Sequence, residues 1–284
     1  MIRVGTRGSK LALAQAKIVV EKLREEGYEV ELRIIKTRGD VMRDRPLHEF
    51  KGIGAFVREI DLALARGEID VAVHSYKDVP TQRVEGTKIA AVLKRDSPCD
   101  AMVFRECRRL EELESNAKVG TSSLRRRAQF SRLRSDLNFE NLRGNLDTRI
   151  RKLRDGFYDA IVVAEAGIQR LRLNIEYQSF PPELIVPSPN QGIIAIATRT
   201  GEEELASFLN DEDTWIEAQI ERTIARELGF GCAVPFGVYA KVCGDRAKVI
   251  CEVLSGKYVR VEEKISKYSI EEAKEVARRV RDEG

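Results

Sequence analysis

The sequence predicts an α/β protein: two similar α/β lobes followed by a smaller α+β domain. Three observations predict it. Short apolar runs alternate with segments of helical periodicity through the first 170 residues, the pattern of strands joined by crossover helices. A set of landmarks occurs twice in the same order. Past residue 211 the pattern changes to one helix, three strands with hairpin turns, and a last helix.

The elements read in order as follows. An apolar strand at 2–4 runs into Gly5-Thr6-Arg7-Gly8-Ser9 and then a helix over 10–26, with Leu11, Ala14, Ile18 and Leu23 on one face. Gly27 suits the helix C-cap. A strand at 29–36 ends at Thr37-Arg38-Gly39-Asp40. Residues 41–53 read as a mobile loop. A helix over 55–66 and a strand at 69–73 lead into His74-Ser75-Tyr76-Lys77-Asp78-Val79-Pro80. The plan then repeats: strand 118–119, a turn opening a helix to 134, strand 137–142, helix 146–154 and strand 159–164. Val4-Gly5-Thr6 matches Val119-Gly120-Thr121, Arg38-Gly39-Asp40 matches Arg143-Gly144-Asn145, and Gly67 with Asp70 matches Gly156 with Asp159. Such alternation predicts parallel sheets, with a cleft between two lobes and ligands at the carboxyl ends of strands.

Links between lobes are expected near 93–100 and 181–191. An apolar strand at 193–198 then crosses back to complete the first lobe. The resulting division is 1–95 with 191–209, then 96–190, then 210–284. The third part has a helix over 211–227, strands at 237–242, 247–254 and 258–265, and a helix over 269–281.

Composition bounds the function. The chain has 284 residues, more than one core usually spans. Eighteen consecutive apolar residues occur nowhere, and the first residues lack the apolar core of a secretory signal, so a cytoplasmic protein without membrane contact is expected. Five cysteines without a CxxC pair and two histidines argue against a disulfide framework or a metal centre. The net charge of +3 conceals an asymmetry: residues 118–154 hold eleven Lys or Arg against three Asp or Glu. Such a patch calls for an anionic partner. Nucleic acid binding by the Arg125–Arg134 helix is disfavoured because Phe130 alone is a poor stacking platform. Neither glycine pattern has nucleotide-binding spacing.

The chemistry-bearing candidates lie at strand-to-helix turns. Arg7, Arg125, Arg126, Arg143 and Arg149 can each grip a carboxylate with two hydrogen bonds. Helix N-termini behind Gly5, Gly120 and Gly144 add N–H groups, and Thr6, Ser9, Thr121, Ser122 and Ser123 add hydroxyls. Asp78 suits a general acid or charge stabiliser, and Lys77 a carboxylate partner. His74 reads as a satisfied core or hinge histidine. In Leu228-Gly229-Phe230-Gly231-Cys232-Ala233-Val234-Pro235-Phe236-Gly237, a thiol follows a helix end among small neighbours. It is either a reachable, reactive sulfur or a buried structural one. A bilobal anion-binding protein or ligand sensor accommodates the lobes and arginines but leaves Cys232 and the third domain without a task.

Taken together, GTRGSKLALAQ, KTRGD, AVHSYKDVP, VGTSSLRR, LRGNLDTR, AEAGIQRL, PNQG and GCAVPFG resemble the porphobilinogen deaminase (hydroxymethylbilane synthase) family, in that family's order over nearly the whole chain. The resemblance implies two lobes like periplasmic binding proteins plus a third domain. It implies a cytoplasmic, monomeric transferase of haem and porphyrin biosynthesis, joining four porphobilinogen molecules with loss of ammonia into hydroxymethylbilane. It also implies a dipyrromethane cofactor, bound by a thioether to Cys232. Asp78 matches the family's catalytic aspartate. Ser75, Lys77, Thr121, Ser123, Arg125, Arg126, Arg143, Gly144 and Gly167 fall in positions that bind the cofactor, and Arg7, Ser9, Arg149 and Arg170 in positions that bind substrate. No metal is implied.

Overall fold

A computed structural model describes residues 1–36, 57–229 and 234–283. The expected loop at 41–53 and Cys232 therefore lie outside the described residues. The chain divides into two compact units, Met1–Asp96 with Gly192–Trp215, and Ser97–Gln191 with Ile216–Gly284.

The first unit holds β1 (Ile2–Thr6), α1 (Lys10–Glu25), β2 (Val30–Ile34), α2 (Arg58–Ala65), β3 (Val71–Ser75) and β4 (Thr87–Val92). The second holds β5 (Asp100–Phe104), β6 (Lys118–Gly120), α3 (Leu124–Leu133), β7 (Asn138–Glu140), α4 (Leu146–Arg154), β8 (Ala160–Ala164), α5 (Glu165–Arg170) and β9 (Gln178–Phe180). β10 (Ile194–Arg199) returns to the first sheet. Then come α6 (Glu212–Leu228), β11 (Phe236–Cys243), β12 (Arg246–Val253), β13 (Val259–Ser266) and α7 (Ile270–Glu283).

The two five-stranded sheets share one plan. Their orders are β2-β1-β3-β10-β4 and β7-β6-β8-β5-β9. In each, the first three strands are parallel, and the fourth (β10 or β5) is antiparallel to both its neighbours. This corrects the expectation of wholly parallel sheets. The antiparallel strands enter from the connections between the two sheets rather than through a crossover helix, so nothing forces them parallel. β10 completes the first sheet as expected.

The repeated landmarks have a physical basis. Asp70 accepts a bond from the Arg3 backbone N–H at 2.9 Å, and Asp159 accepts one from Lys118 at 2.8 Å. Each is also held by an arginine at the far end of the antiparallel strand: Arg199 on Asp70 and Arg105 on Asp159, both at 3.0 Å. Gly67 and Gly156 both have positive φ, and each lies beside that same arginine. One Gly and one Asp thus lock the bottom of each sheet. Ser9 and Ser123 cap α1 and α3, their hydroxyl oxygens accepting the N–H of Ala12 and Arg126.

The cores follow the pattern of the sequence. Val4, Val19, Leu23, Val71 and Ile196 pack in the first unit. Met102, Phe130, Val162 and Phe180 fill one face of the second sheet, and Ile150, Leu153, Ile161 and Ile168 the other. The C-terminal sheet, order β11-β12-β13, lays Val238, Ala240, Val249 and Cys251 against α6 and α7. Its other face puts Tyr239 and Ile250 on Val186. A Cβ at Gly237 would stand 2.6 Å from the Val186 carbonyl oxygen. Close backbone approach, rather than positive φ, therefore requires this glycine. It lets the Val238 N–H reach the Pro187 carbonyl at 3.0 Å.

Candidate functional site

In the second unit, β7, β6 and β8 lie side by side and parallel, so their carboxyl ends share one edge. That edge collects Thr121 and Ser123 from the turn after β6, Arg143 and Gly144 from the turn after β7, and Gly167 and Arg170 from α5. Gly144 has φ of +112°, a conformation other residues rarely adopt, and its carbonyl accepts Arg149 Nε at 2.8 Å. Thr121 Oγ1 accepts the Ser123 N–H at 3.2 Å. Both hydroxyls serve here as acceptors, which leaves their own protons to donate.

Arg125 and Arg126 lie beneath this edge, 6% and 7% exposed. Their charge is met by Asp100, which is fully buried at the head of β5. Arg125 Nη2 reaches one carboxylate oxygen at 2.7 Å, and Arg126 reaches the other with Nε at 3.0 Å and Nη2 at 2.7 Å. Gln191 Nε2 adds a fourth bond at 2.9 Å. Burial pushes the Asp100 carboxyl up, but Arg125 and Arg126 outweigh it and hold the group well below the usual carboxylate range. Arg125 also donates to Gln129 and the Val186 carbonyl, and Arg126 to the Val162 carbonyl. Among the described residues, those bonds use three of the five N–H groups on each guanidinium, which leaves donors for a ligand.

The corresponding edge of the first unit has β1 and β3 side by side. Arg7 and Ser9 follow β1. After β3, a 3₁₀ turn at Tyr76–Asp78 carries exposed Lys77 and Asp78 directly after a tight anchor. The anchor is Tyr76, 2% exposed, whose N–H donates to the Ile193 carbonyl at 2.9 Å. Ser75 exchanges hydrogen bonds with the buried Gln15 at 2.9 and 3.1 Å. His74 is buried, with Nε2 3.0 Å from Asp61, which agrees with a satisfied core histidine.

The residues that sequence reasoning missed are Asp100, Gln129, Gln191 and Gln15. Asp100 stood inside an expected link, and its only signal is an acidic residue heading the apolar run Ala101–Val103.

Residues 2–207 match the family described as porphobilinogen deaminase, dipyromethane cofactor binding domain, and residues 215–283 match porphobilinogen deaminase, C-terminal domain. A probable porphobilinogen deaminase of Archaeoglobus fulgidus is 66% identical over 99% of this chain and 97% of its own. The chain belongs to the porphobilinogen deaminase family. A further member so named, from Methanocella arvoryzae, is 52% identical over 98% of this chain and 94% of its own. Another, from Methanocaldococcus jannaschii, is 49% identical over 84% and 82%. Among solved structures, the methionine-binding protein MetQ aligns at a TM-score of 0.45 and 14% identity, over 73% of this chain and 88% of its own. The larger matched segment is the one described as cofactor-binding. No helix among the described residues is long and apolar enough to cross a membrane.

Proposed function

We propose that this chain joins four porphobilinogen molecules head to tail, releasing ammonia, into the linear tetrapyrrole hydroxymethylbilane. It does so on a dipyrromethane held as a thioether by Cys232. The observation that carries the reading is the donor set of the second unit. Thr121, Ser123, Arg143 and Gly144 share one sheet edge, beside two arginines that, among the described residues, share one carboxylate partner, Asp100. Such a set fits a group bearing several carboxylates.

In this reading Ser75, Lys77, Thr121, Ser123, Arg125, Arg126, Arg143, Gly144 and Gly167 hold the cofactor. Arg7, Ser9, Arg149 and Arg170 bind the acetate and propionate arms of porphobilinogen. When bound, the dipyrromethane supplies the primer whose free pyrrole α-carbon accepts the incoming unit. Asp78 acts on the substrate. Its carboxylate accepts the pyrrole N–H and stabilises the positive charge that develops as the aminomethyl group loses ammonia. The pinned Tyr76 keeps that carboxylate placed. Preorganisation of this kind costs no rearrangement at the moment of reaction.

We also propose the three-domain division 1–95 with 191–209, 96–190 and 210–284, and a monomeric, cytoplasmic working form. Light scattering of the loaded protein checks the monomer.

The test of the function is the intact mass of freshly purified protein beside Cys232→Ser. The expected result is an excess of two linked porphobilinogen-derived rings in wild type alone. Bare polypeptide mass in wild type, unchanged after incubation with porphobilinogen, overturns the reading.

A further inference from the structure

Gln129 lies six residues past the α3 cap and is 3% exposed. Its side chain faces three ways. Oε1 accepts Arg125 Nη1 at 3.3 Å, and Nε2 donates to the Val186 carbonyl at 2.9 Å and to a carboxylate oxygen of Glu252. Glu252 belongs to β12 of the C-terminal sheet and is also 3% exposed. The Tyr258 hydroxyl donates to its other oxygen at 3.3 Å, and Arg260 lies 3.8 Å away. Arg132, one turn beyond Gln129, stacks over the Tyr258 ring at 3.3 Å. A buried chain of polar groups therefore runs Asp100–Arg125–Gln129–Glu252, from the second lobe into the domain that carries Cys232.

Apolar packing alone would join the two bodies at lower cost. Desolvating a carboxylate takes several kcal/mol, and hydrophobic replacements of buried charges are often neutral or stabilising. An apolar contact, however, tolerates sliding, whereas a satisfied polar network admits one register. Burial pushes the Glu252 carboxyl up, opposed by Arg260, Gln129, Tyr258 and Arg132. The network thus sustains a cost that packing does not demand.

We propose that Gln129 and Glu252 are positioning residues. Their bond sets the C-terminal sheet in register with Arg125 and Arg126, so that the domain read as anchoring the cofactor and the arginines read as gripping it keep one spacing. The inference rests on the reading of Cys232 as the cofactor anchor.

The experiment uses full-length apoprotein: wild type, Gln129→Ala, Glu252→Gln, the double variant, and Glu183→Gln as a control. Glu183 meets Lys248 at 3.1 Å across the same domain contact but in exposed surroundings. Each protein is given porphobilinogen, uptake of the two-ring mass is followed by intact mass spectrometry, and urea unfolding is measured alongside. Gln129→Ala is expected to slow uptake about tenfold, as a misplacement of about 1 Å readily does. Glu252→Gln preserves the shape, so it remains informative if the alanine variant unfolds; it is expected to slow uptake by a smaller factor. The double variant is expected to be no slower than Gln129→Ala, because the two act through one bond. Glu183→Gln is expected to match wild type.

Uptake within twofold of wild type in both single variants overturns the proposal. So does multiplication of their effects in the double, or equal slowing by Glu183→Gln. A wild type that never gains the two-ring mass overturns the anchor reading and the register with it. A loaded wild type with unaffected variants overturns the register alone.

Discussion

The two five-stranded sheets are built alike and differ where the chemistry is. Their strand orders match, their first helices are both capped by serine, and their lower ends are locked by the same Gly, Asp and Arg. At the capped ends they diverge. The two positions that are Leu11 and Ala12 in α1 are Arg125 and Arg126 in α3. A glutamine stands six residues past the cap in both. In the first unit Gln15 turns to Ser75; in the second, Gln129 turns to Arg125 and to Glu252. The lower end carries what the fold needs. The upper end was free to become a serine-holding surface in one copy and a buried cationic one in the other.

The largest test of this comparison is Asp100→Ala. It leaves two guanidinium groups buried without their carboxylate, and the expected loss of stability is about 3–5 kcal/mol by urea unfolding. For comparison, Asp61→Asn in the first unit keeps the shape against His74 and weakens the ion pair with a single arginine, Arg83, at 2.8 Å; it is expected to cost about 1–3 kcal/mol. Equal losses would mean that the arginine pair adds no special demand.

Next come the locks. Asp70 is held by Arg3 and Arg199 and is 15% exposed; Asp159 is held by Arg105 and is 36% exposed. Asp70→Asn is expected to cost about 1 kcal/mol, and Asp159→Asn less. Hydrogen bonds from Arg3, outweighing partial burial, together with Arg199, keep the Asp70 carboxyl well below its ordinary range. Its folded value is thus depressed, so its contribution is present above about pH 4, the unfolded value, and fades as pH falls below that. The stability gap between wild type and Asp70→Asn should close in acid. A gap that widened on acidification would assign the lock to something other than the ionised carboxylate.

The smallest effect is expected from Gln15→Ala, about 1 kcal/mol or less, since it removes only the Ser75 pair. A larger loss would make the serine-holding end of the first unit as demanding as the arginine-bearing end of the second.

Much of this was readable in the sequence because it is local. Turn–cap–helix signals at Ser9 and Ser123, the Gly67/Asp70 and Gly156/Asp159 echoes, and the β-hairpins of the last domain each lie within a few residues. What escaped was non-local. β4, β5 and β9 are short runs without alternation, and β5 opens with an aspartate, so 93–100 read as a link. Asp100 makes sense only beside Arg125 and Arg126, twenty-five and twenty-six positions away. The arginines were found as donors for a ligand, but their internal partner was not. The constraint on Gly237 is likewise non-local: it comes from the backbone of Val186, far earlier in the chain.

The place of β10 has a consequence for how the protein is made. β10 lies between β3 and β4, which end at Ser75 and Val92, yet it begins only at Ile194. As the chain leaves the ribosome, all five strands of the second sheet emerge before the first sheet can close. The lobe that starts first finishes last, and meanwhile β3 and β4 present unpaired edges of the kind that invite aggregation. The facing edges of β3 and β4 therefore stay without their partner strand from the emergence of residue 92 until that of residue 199.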